Sequence, residues 1–272
     1  MRRWIFLFAL LFTCNACAGD PSRQPARALF VGNSLIYVGN LPATYAALST
    51  ANGHPLHSQM IVKGGALLHQ RVADGSVRRA LREHPPELLI LQEQGGALLC
   101  WPEESACTTS QAAIKALAKA GSDAGARVLL LGSYQSHAAA SGRLIAKEAA
   151  AAEKAGIPYV AISEALRTAS AAAPDLPWYD ADGMHPGPAL TLLDAIQLYR
   201  AIHGRLPEHG FSVAAPIYLP KKRARCGLAR CQCRRTARRC THPYQLFRCD
   251  DPTYQRDAAN HAALTTSSPC LT

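Results

Sequence analysis

Short apolar runs recur along the chain at Ala28–Val31, His57–Val62, Leu88–Leu91, Arg127–Leu131 and Pro158–Ile162. Between them lie stretches of helical spacing at Leu41–Ala51, Ser76–Glu83, Thr109–Ala120, Gly142–Ala155 and Pro188–His203. In the third of these, Ile114, Leu117 and Ala118 fall on one side of the helix and Lys115 and Lys119 on the other, the stripe a surface helix uses to cover a core. Strands that are apolar throughout, rather than alternating, belong to a parallel sheet whose two faces are both covered by helices. The pattern therefore predicts an α/β domain with five parallel strands. No internal repeat interrupts it, and 272 residues suffice for one such domain with some excess.

The first strand ends at Gly32, and Ser34 follows before the helix that contains Pro42. Ligands of parallel sheets bind beyond the carboxyl ends of the strands, so Ser34 is expected at a functional rim. Serine is also a preferred N-cap, and on this stretch alone the two readings are evenly matched. The segment Asp180-Ala181-Asp182-Gly183-Met184-His185-Pro186 changes the balance. A hydroxyl becomes nucleophilic at neutral pH only when a nearby base accepts its proton, and histidine is suited to that task. Asp182, three residues before His185, can fix the imidazole tautomer that accepts from serine. Ser34 has no glycine two residues after it, so this is not the nucleophile elbow of the α/β-hydrolases.

A serine in Gly32-Asn33-Ser34-Leu35 after the first strand, with Asp182-x-x-His185-Pro186 near the end of the domain, resembles the GDSL or SGNH hydrolase superfamily. The resemblance spans roughly residues 27–205. It implies a three-layer α/β/α, flavodoxin-like five-stranded parallel sheet, and ester hydrolysis without metal or organic cofactor. It also implies Ser34 as nucleophile, His185 as base and Asp182 as its orienting acceptor. The family completes an oxyanion hole with a glycine after the second strand, where Gly64 and Gly65 stand, and an asparagine after the third. There the chain carries Leu91-Gln92-Glu93-Gln94 instead, similar to a subset of the superfamily. Gln94 aligns with the asparagine and Gln92 is the alternative; a glutamine amide also donates N–H. Asn33 replaces the aspartate of the family block. The expected substrates are short acyl or O-acetyl esters, with carbohydrate or another small alcohol as the leaving group. A competing reading keeps the fold as a non-catalytic glycan- or surface-binding protein.

Arg2-Arg3 and the apolar run Trp4–Phe12, followed by Ala16-Cys17-Ala18, read as a signal peptide over residues 1–18, with a polar linker over 19–26. The protein is thus expected to be exported, periplasmic or secreted, with lipid anchoring through Cys14 or Cys17 as an alternative. In an oxidising compartment Cys100 and Cys107 are expected to form a disulfide closing a small loop beside the site. Trp101, inside that loop, is either a substrate wall or an ordinary packed tryptophan. His137 is expected in a loop at the active edge, and Trp178 and Tyr179 as packing for the Asp-His segment.

Beyond Pro220 the composition changes. Residues 19–220 carry 16 basic and 16 acidic side chains, so all of the formal +10 charge lies elsewhere, most of it after Pro220. Between Lys221 and Arg248 stand ten Lys or Arg and no acid, and six of the ten cysteines fall after residue 225. Because the charge is confined to a segment without a binding motif, it does not point to a specific nucleic-acid partner. Four readings of residues 221–272 remain open. They are a disulfide module, a metal site using Cys226, Cys231, Cys233, Cys240, His242 and Cys249, a basic extension contacting anionic cell-surface polymers, and a shifted reading frame. The cysteine spacing matches no zinc ribbon or finger, and a disordered or irregular segment is the expectation.

Overall fold

The computed structural model describes residues 25–101, 103–135, 138–216, 218 and 247–248. Five parallel strands form the sheet: β1 (Ala26–Gly32), β2 (Leu56–Val62), β3 (Leu88–Leu91), β4 (Arg127–Leu131) and β5 (Tyr159–Val160). Their spatial order is β5-β4-β3-β1-β2, with β1 flanked by β2 and β3 in parallel register. A two-residue strand, β6 (Phe247–Arg248), pairs antiparallel at the outer edge of β2, an addition to the five strands that the sequence pattern predicts. The signal peptide, Cys14, Cys17, His137 and the cysteines and histidine of the tail lie outside the described residues.

Alternate residues of each strand enter two separate cores. Phe30, Met60, Ile90 and Leu129 face one, packed under α2 (Leu41–Ala51), α7 (Ser163–Ala172) and α8 (Pro188–His203). Leu29, Ile61, Leu89 and Val128 face the other, under α3 (Leu68–Ala73), α4 (Ser76–Glu83), α5 (Glu104–Asp123) and α6 (Ala138–Ala155). Each such fully buried side chain contributes roughly 1.5–3 kcal/mol by leaving water. Because helices cover both faces of the sheet, both sets of alternating strand positions are apolar, which is why the strands read as continuous apolar runs.

Five of the ten predicted elements have shifted bounds: β2 begins one residue early at Leu56, β5 narrows to Tyr159–Val160, α6 begins at Ala138 rather than Gly142, and the other two are β1 and α5. β1 begins at Ala26, one residue inside the expected linker, because Ala26 pairs with Leu56 in the β1–β2 register. α5 begins at Glu104 rather than Thr109, so Cys107 stands in a helix and not in a loop. A glutamate in the first turn is favoured by the exposed N–H groups there.

The chain after α8 turns back across α2. Asn52 Oδ1 accepts from the backbone N–H groups of Glu208 and His209 at 2.7 and 2.8 Å, and its Nδ2 donates to His209 O at 3.1 Å. Asn40, in the left-handed region at φ 54°, donates from Nδ2 to Pro216 O at 2.9 Å, and Val38 bridges Tyr218. Pro216 and Tyr218 therefore hold the polypeptide just behind Ser34, and Glu208 and His209 hold the far end of α2.

Candidate active site

The turn after β1 is tight. A Cβ on Gly32 would stand 2.6 Å from Gln92 O and 2.8 Å from Ile36 Cδ1, so the position admits only glycine. Asn33 is extended and its side chain accepts from Leu35 N at 3.1 Å, capping the short helix α1 (Ser34–Tyr37). Asn40 caps α2 through Ala43 N. Asparagines thus perform the capping for both helices, and the Ser34 hydroxyl is left for another partner.

That partner is His185, whose Nε2 lies 2.9 Å from Ser34 Oγ. The ring's other nitrogen, Nδ1, lies 2.5 Å from Asp182 Oδ2. A carboxylate can only accept, so Nδ1 carries the proton, Nε2 is the acceptor, and the serine O–H donates. Asp182 Oδ1 in turn accepts from Met184 N and His185 N, both at 2.9 Å. Partial burial pushes the Asp182 carboxyl up, but the His185 backbone, its ring and Met184 together hold it below the usual aspartate value. The group stays ionised, which an acceptor for an imidazole requires.

The loop that presents this pair is fixed at its base. Asp180 N donates to His185 O and Gly187 N to Trp178 O, both at 2.9 Å, and Tyr179 bridges Pro186. Trp178 is buried and donates from its ring to Ala173 O at 2.8 Å. Both aromatics act as packing, as the sequence suggests. From the neighbouring loop after β4, Tyr134 OH donates to Met184 O at 2.8 Å, a second brace that sequence reading does not reveal.

Strand register brings the oxyanion candidates to the same rim. Val31 pairs with Leu91, so Ser34 and Gln94, each three residues further on, stand level with one another at the ends of β1 and β3. Gly32 pairs with Val62, so Gly64 stands level with Ser34 beyond β2. A Cβ on Gly64 would lie 2.9 Å from Tyr37 OH, which places this glycine against the helix carrying Ser34. Gly64 and Gly65 are exposed, and among the described residues their backbone N–H groups have no acceptor. The two glutamines differ. Gln92 is fully buried and donates from Nε2 to Gly132 O at 3.1 Å, whereas Gln94 is exposed and its side-chain amide has no hydrogen-bond partner among the described residues.

Glu93, between them, is buried and accepts from Leu68 N at 3.2 Å and Gln94 N at 2.8 Å. Burial raises its pKa. It joins the end of β3 to the start of α3 and fixes the backbone of Gln94. A glutamate closing an apolar strand is the one sequence signal that could have marked it.

Cys100 and Cys107 are joined by a disulfide with a Cα–Cα distance of 4.5 Å. It ties a single 3₁₀ turn at Ala97–Leu99 to the first turns of α5. Trp101, beside it, is 67% exposed and so is not a core residue. Among the described residues no group of three or more His, Cys, Asp or Glu is placed to hold a metal ion.

No family model and no curated protein matches the chain. Solved structures do. A protein from Slackia heliotrinireducens assigned as an SGNH hydrolase aligns with 66% of this chain and 100% of its own, at 24% identity and a TM-score of 0.55. A GDSL-like lipase from Parabacteroides merdae aligns with 67% of this chain and 98% of its own, at 15% identity and a TM-score of 0.53. A variant of an acetylxylan esterase from Geobacillus stearothermophilus aligns with 65% of this chain and 94% of its own, at 12% identity and a TM-score of 0.54. With its strand order, its two helical layers and these neighbours together, the chain has the α/β fold of the SGNH hydrolases.

Proposed function

We propose that this protein is an exported serine esterase that removes short acyl groups, O-acetyl foremost, from a carbohydrate or other small alcohol. The observation that carries the reading is the hydrogen-bonded chain from Ser34 Oγ through His185 to Asp182, built from segments 151 residues apart. Packing alone has no need of a serine hydroxyl aimed at an imidazole whose other nitrogen is held by an ionised carboxylate. The acetylxylan esterase among the structural neighbours agrees with the acyl size.

Ser34 Oγ attacks the ester carbonyl carbon as its proton passes to His185 Nε2. The carbonyl oxygen becomes an oxyanion, received by the Ser34 and Gly64 or Gly65 backbone N–H groups and by the Gln94 amide. Gln94 suits this role better than Gln92, whose amide is buried and occupied by Gly132 O. Collapse breaks the bond to the alcohol oxygen, which leaves with the proton from Nε2. Water, deprotonated by the same nitrogen, then attacks the acyl-serine, and carboxylate and free Ser34 return. Asp182 keeps the tautomer correct and balances the imidazolium formed in each half.

A fluorophosphonate probe tests the nucleophile. Labelling of the wild type that vanishes in Ser34→Ala is expected. Equal labelling of both rejects Ser34, and no labelling of either favours a binding protein on this fold.

A further inference from the structure

Beside the Ser34 rim lies a cleft of about 440 Å³ lined by Gln94, Gly96, Trp101, Gln135 and Arg143. It opens from Gln94, which stands level with Ser34, toward the loop after β4 and α6, so a substrate whose carbonyl oxygen is received by Gln94 has this cleft within reach. Gly96 lines it, and Gly95 beside it is buried under the Gln135 amide. A Cβ on Gly95 would come within 3.0 Å of Gln135 Nε2, and one on Gly96 within 3.4 Å of the Trp101 ring. The Gln135 amide and the indole can therefore lie close over the strand end. Trp101 is held in place from its own backbone, which donates to Gly96 O at 3.2 Å, and from the adjoining disulfide.

The lining has a definite chemical character. It offers a broad indole surface with most of its area toward solvent, two carboxamides that both donate and accept, and one guanidinium. Arg143 is exposed on α6, and among the described residues it has neither an ion pair nor a hydrogen bond. An aromatic face covers the C–H side of a sugar ring, and carboxamides match its hydroxyls. An unpaired guanidinium adds what a neutral sugar does not require, a forked donor for a carboxylate.

We infer that the Trp101–Arg143 cleft is a subsite for a saccharide bearing a carboxylate, so that the preferred substrate is an acylated acidic sugar rather than a neutral one. This rests on the esterase reading above, and its test separates the two. The matched probes are an O-acetylated trisaccharide containing glucuronic acid and the same trisaccharide with its carboxyl reduced to the primary alcohol. Wild type is expected to favour the acidic form by about tenfold in kcat/KM, expressed in KM and shrinking with added salt, as for a partly exposed charge pair. Arg143→Gln brings the ratio to about one, Arg143→Lys retains part of it, and Trp101→Ala raises KM for both trisaccharides. A wild-type ratio near one, or a preference that survives in Arg143→Gln, overturns the inference. Turnover of 4-nitrophenyl acetate by wild type and not by Ser34→Ala reports on the esterase reading alone. If that turnover is absent, calorimetric binding of the two trisaccharides to the full chain decides the cleft. Tighter binding of the acidic form that Arg143→Gln abolishes supports the subsite; equal binding or none rejects it.

Discussion

Asp182 and Glu148 each brace a loop at the carboxyl rim of the sheet, Asp182 the loop that carries His185 and Glu148 the Ser133–Gln135 loop after β4. Each accepts three hydrogen bonds: Asp182 from Met184 N, His185 N and the His185 ring, Glu148 from Ser133 N, Ser133 Oγ and Tyr159 OH at 2.7–2.8 Å. Their pKa values move in opposite directions all the same. Asp182, with 31% of its side chain exposed, is held below its ordinary value. Glu148, 1% exposed, is pushed up to about 7 because burial outweighs the bonds from Ser133 and Tyr159, and neighbouring Glu93 adds to the rise. Access to water, not the number of donors, decides which carboxylate remains a charge and which becomes a strut.

The largest effects should fall on the charged side of this pair. Ser34→Ala and His185→Ala are each expected to lower kcat/KM for 4-nitrophenyl acetate by about 10,000-fold or more, and Asp182→Asn by about 1,000- to 10,000-fold. If Asp182→Asn keeps most of the activity, Asp182 is merely another strut and the comparison fails. Glu148→Ala strands the Ser133 and Tyr159 donors and is expected to cost about 3 kcal/mol of unfolding free energy in urea titration. Glu148→Gln should cost less, because its amide oxygen still accepts.

Dependence on pH sharpens the contrast. A carboxyl whose folded pKa is raised binds more protons folded than unfolded between about 4.5 and 7. Its stabilising contribution is therefore full below 4.5 and lost as pH rises through 7, on the order of 3 kcal/mol for a shift of this size. Asp182 has the opposite sign, contributing above its unfolded pKa and losing that contribution as pH falls through its lowered folded value. His203, stacked 3.9 Å from His54 and drawn down to about 4 by burial, adds stability as pH rises from 4 to 6.5. The quantity to measure is therefore the wild-type minus Glu148→Gln difference by thermal melts, which should decline between pH 4.5 and 7. A flat difference would show that Glu148 is ionised in the folded protein throughout. The smallest effect is expected at the disulfide. Cys107→Ser should cost about 2 kcal/mol, as for a short closed loop, and unreduced peptides should show Cys100 bound to Cys107 by mass spectrometry.

Much of this layout is readable from the chain before folding. The runs at Leu88–Leu91 and Arg127–Leu131 and the helices at Leu41–Ala51, Ser76–Glu83 and Pro188–His203 have the bounds their periodicity predicts, because each is long or apolar enough for its own pattern to decide. α1 and α3 are too short to display a period, and α7 presents an Ala- and Ser-rich surface with little contrast. At the site, Ser34, Asp182 and His185 were legible because their residue types have few other uses in that order. Glu148 was not. In Lys147-Glu148-Ala149-Ala150 it looks like one more solvent-facing charge, and only Ser133 and Tyr159, from other elements, explain its burial. Gln92 and Gln94 were ranked in the sequence only by alignment with the family asparagine; what separates them in space is the carbonyl of Gly132, just beyond β4, which occupies the Gln92 amide.

The strap formed on Asn40 and Asn52 by Glu208, His209 and Pro216 has a bearing on how the protein can be rebuilt. α8 looks like a natural stopping point, yet a chain cut at Gly204 would leave Asn40 with an unmet bond just behind the turn that carries Ser34, and Asn52 with unmet bonds at the other end of α2. Fusion partners, tags and recombination junctions belong downstream of Tyr218, where splicing leaves that backing intact.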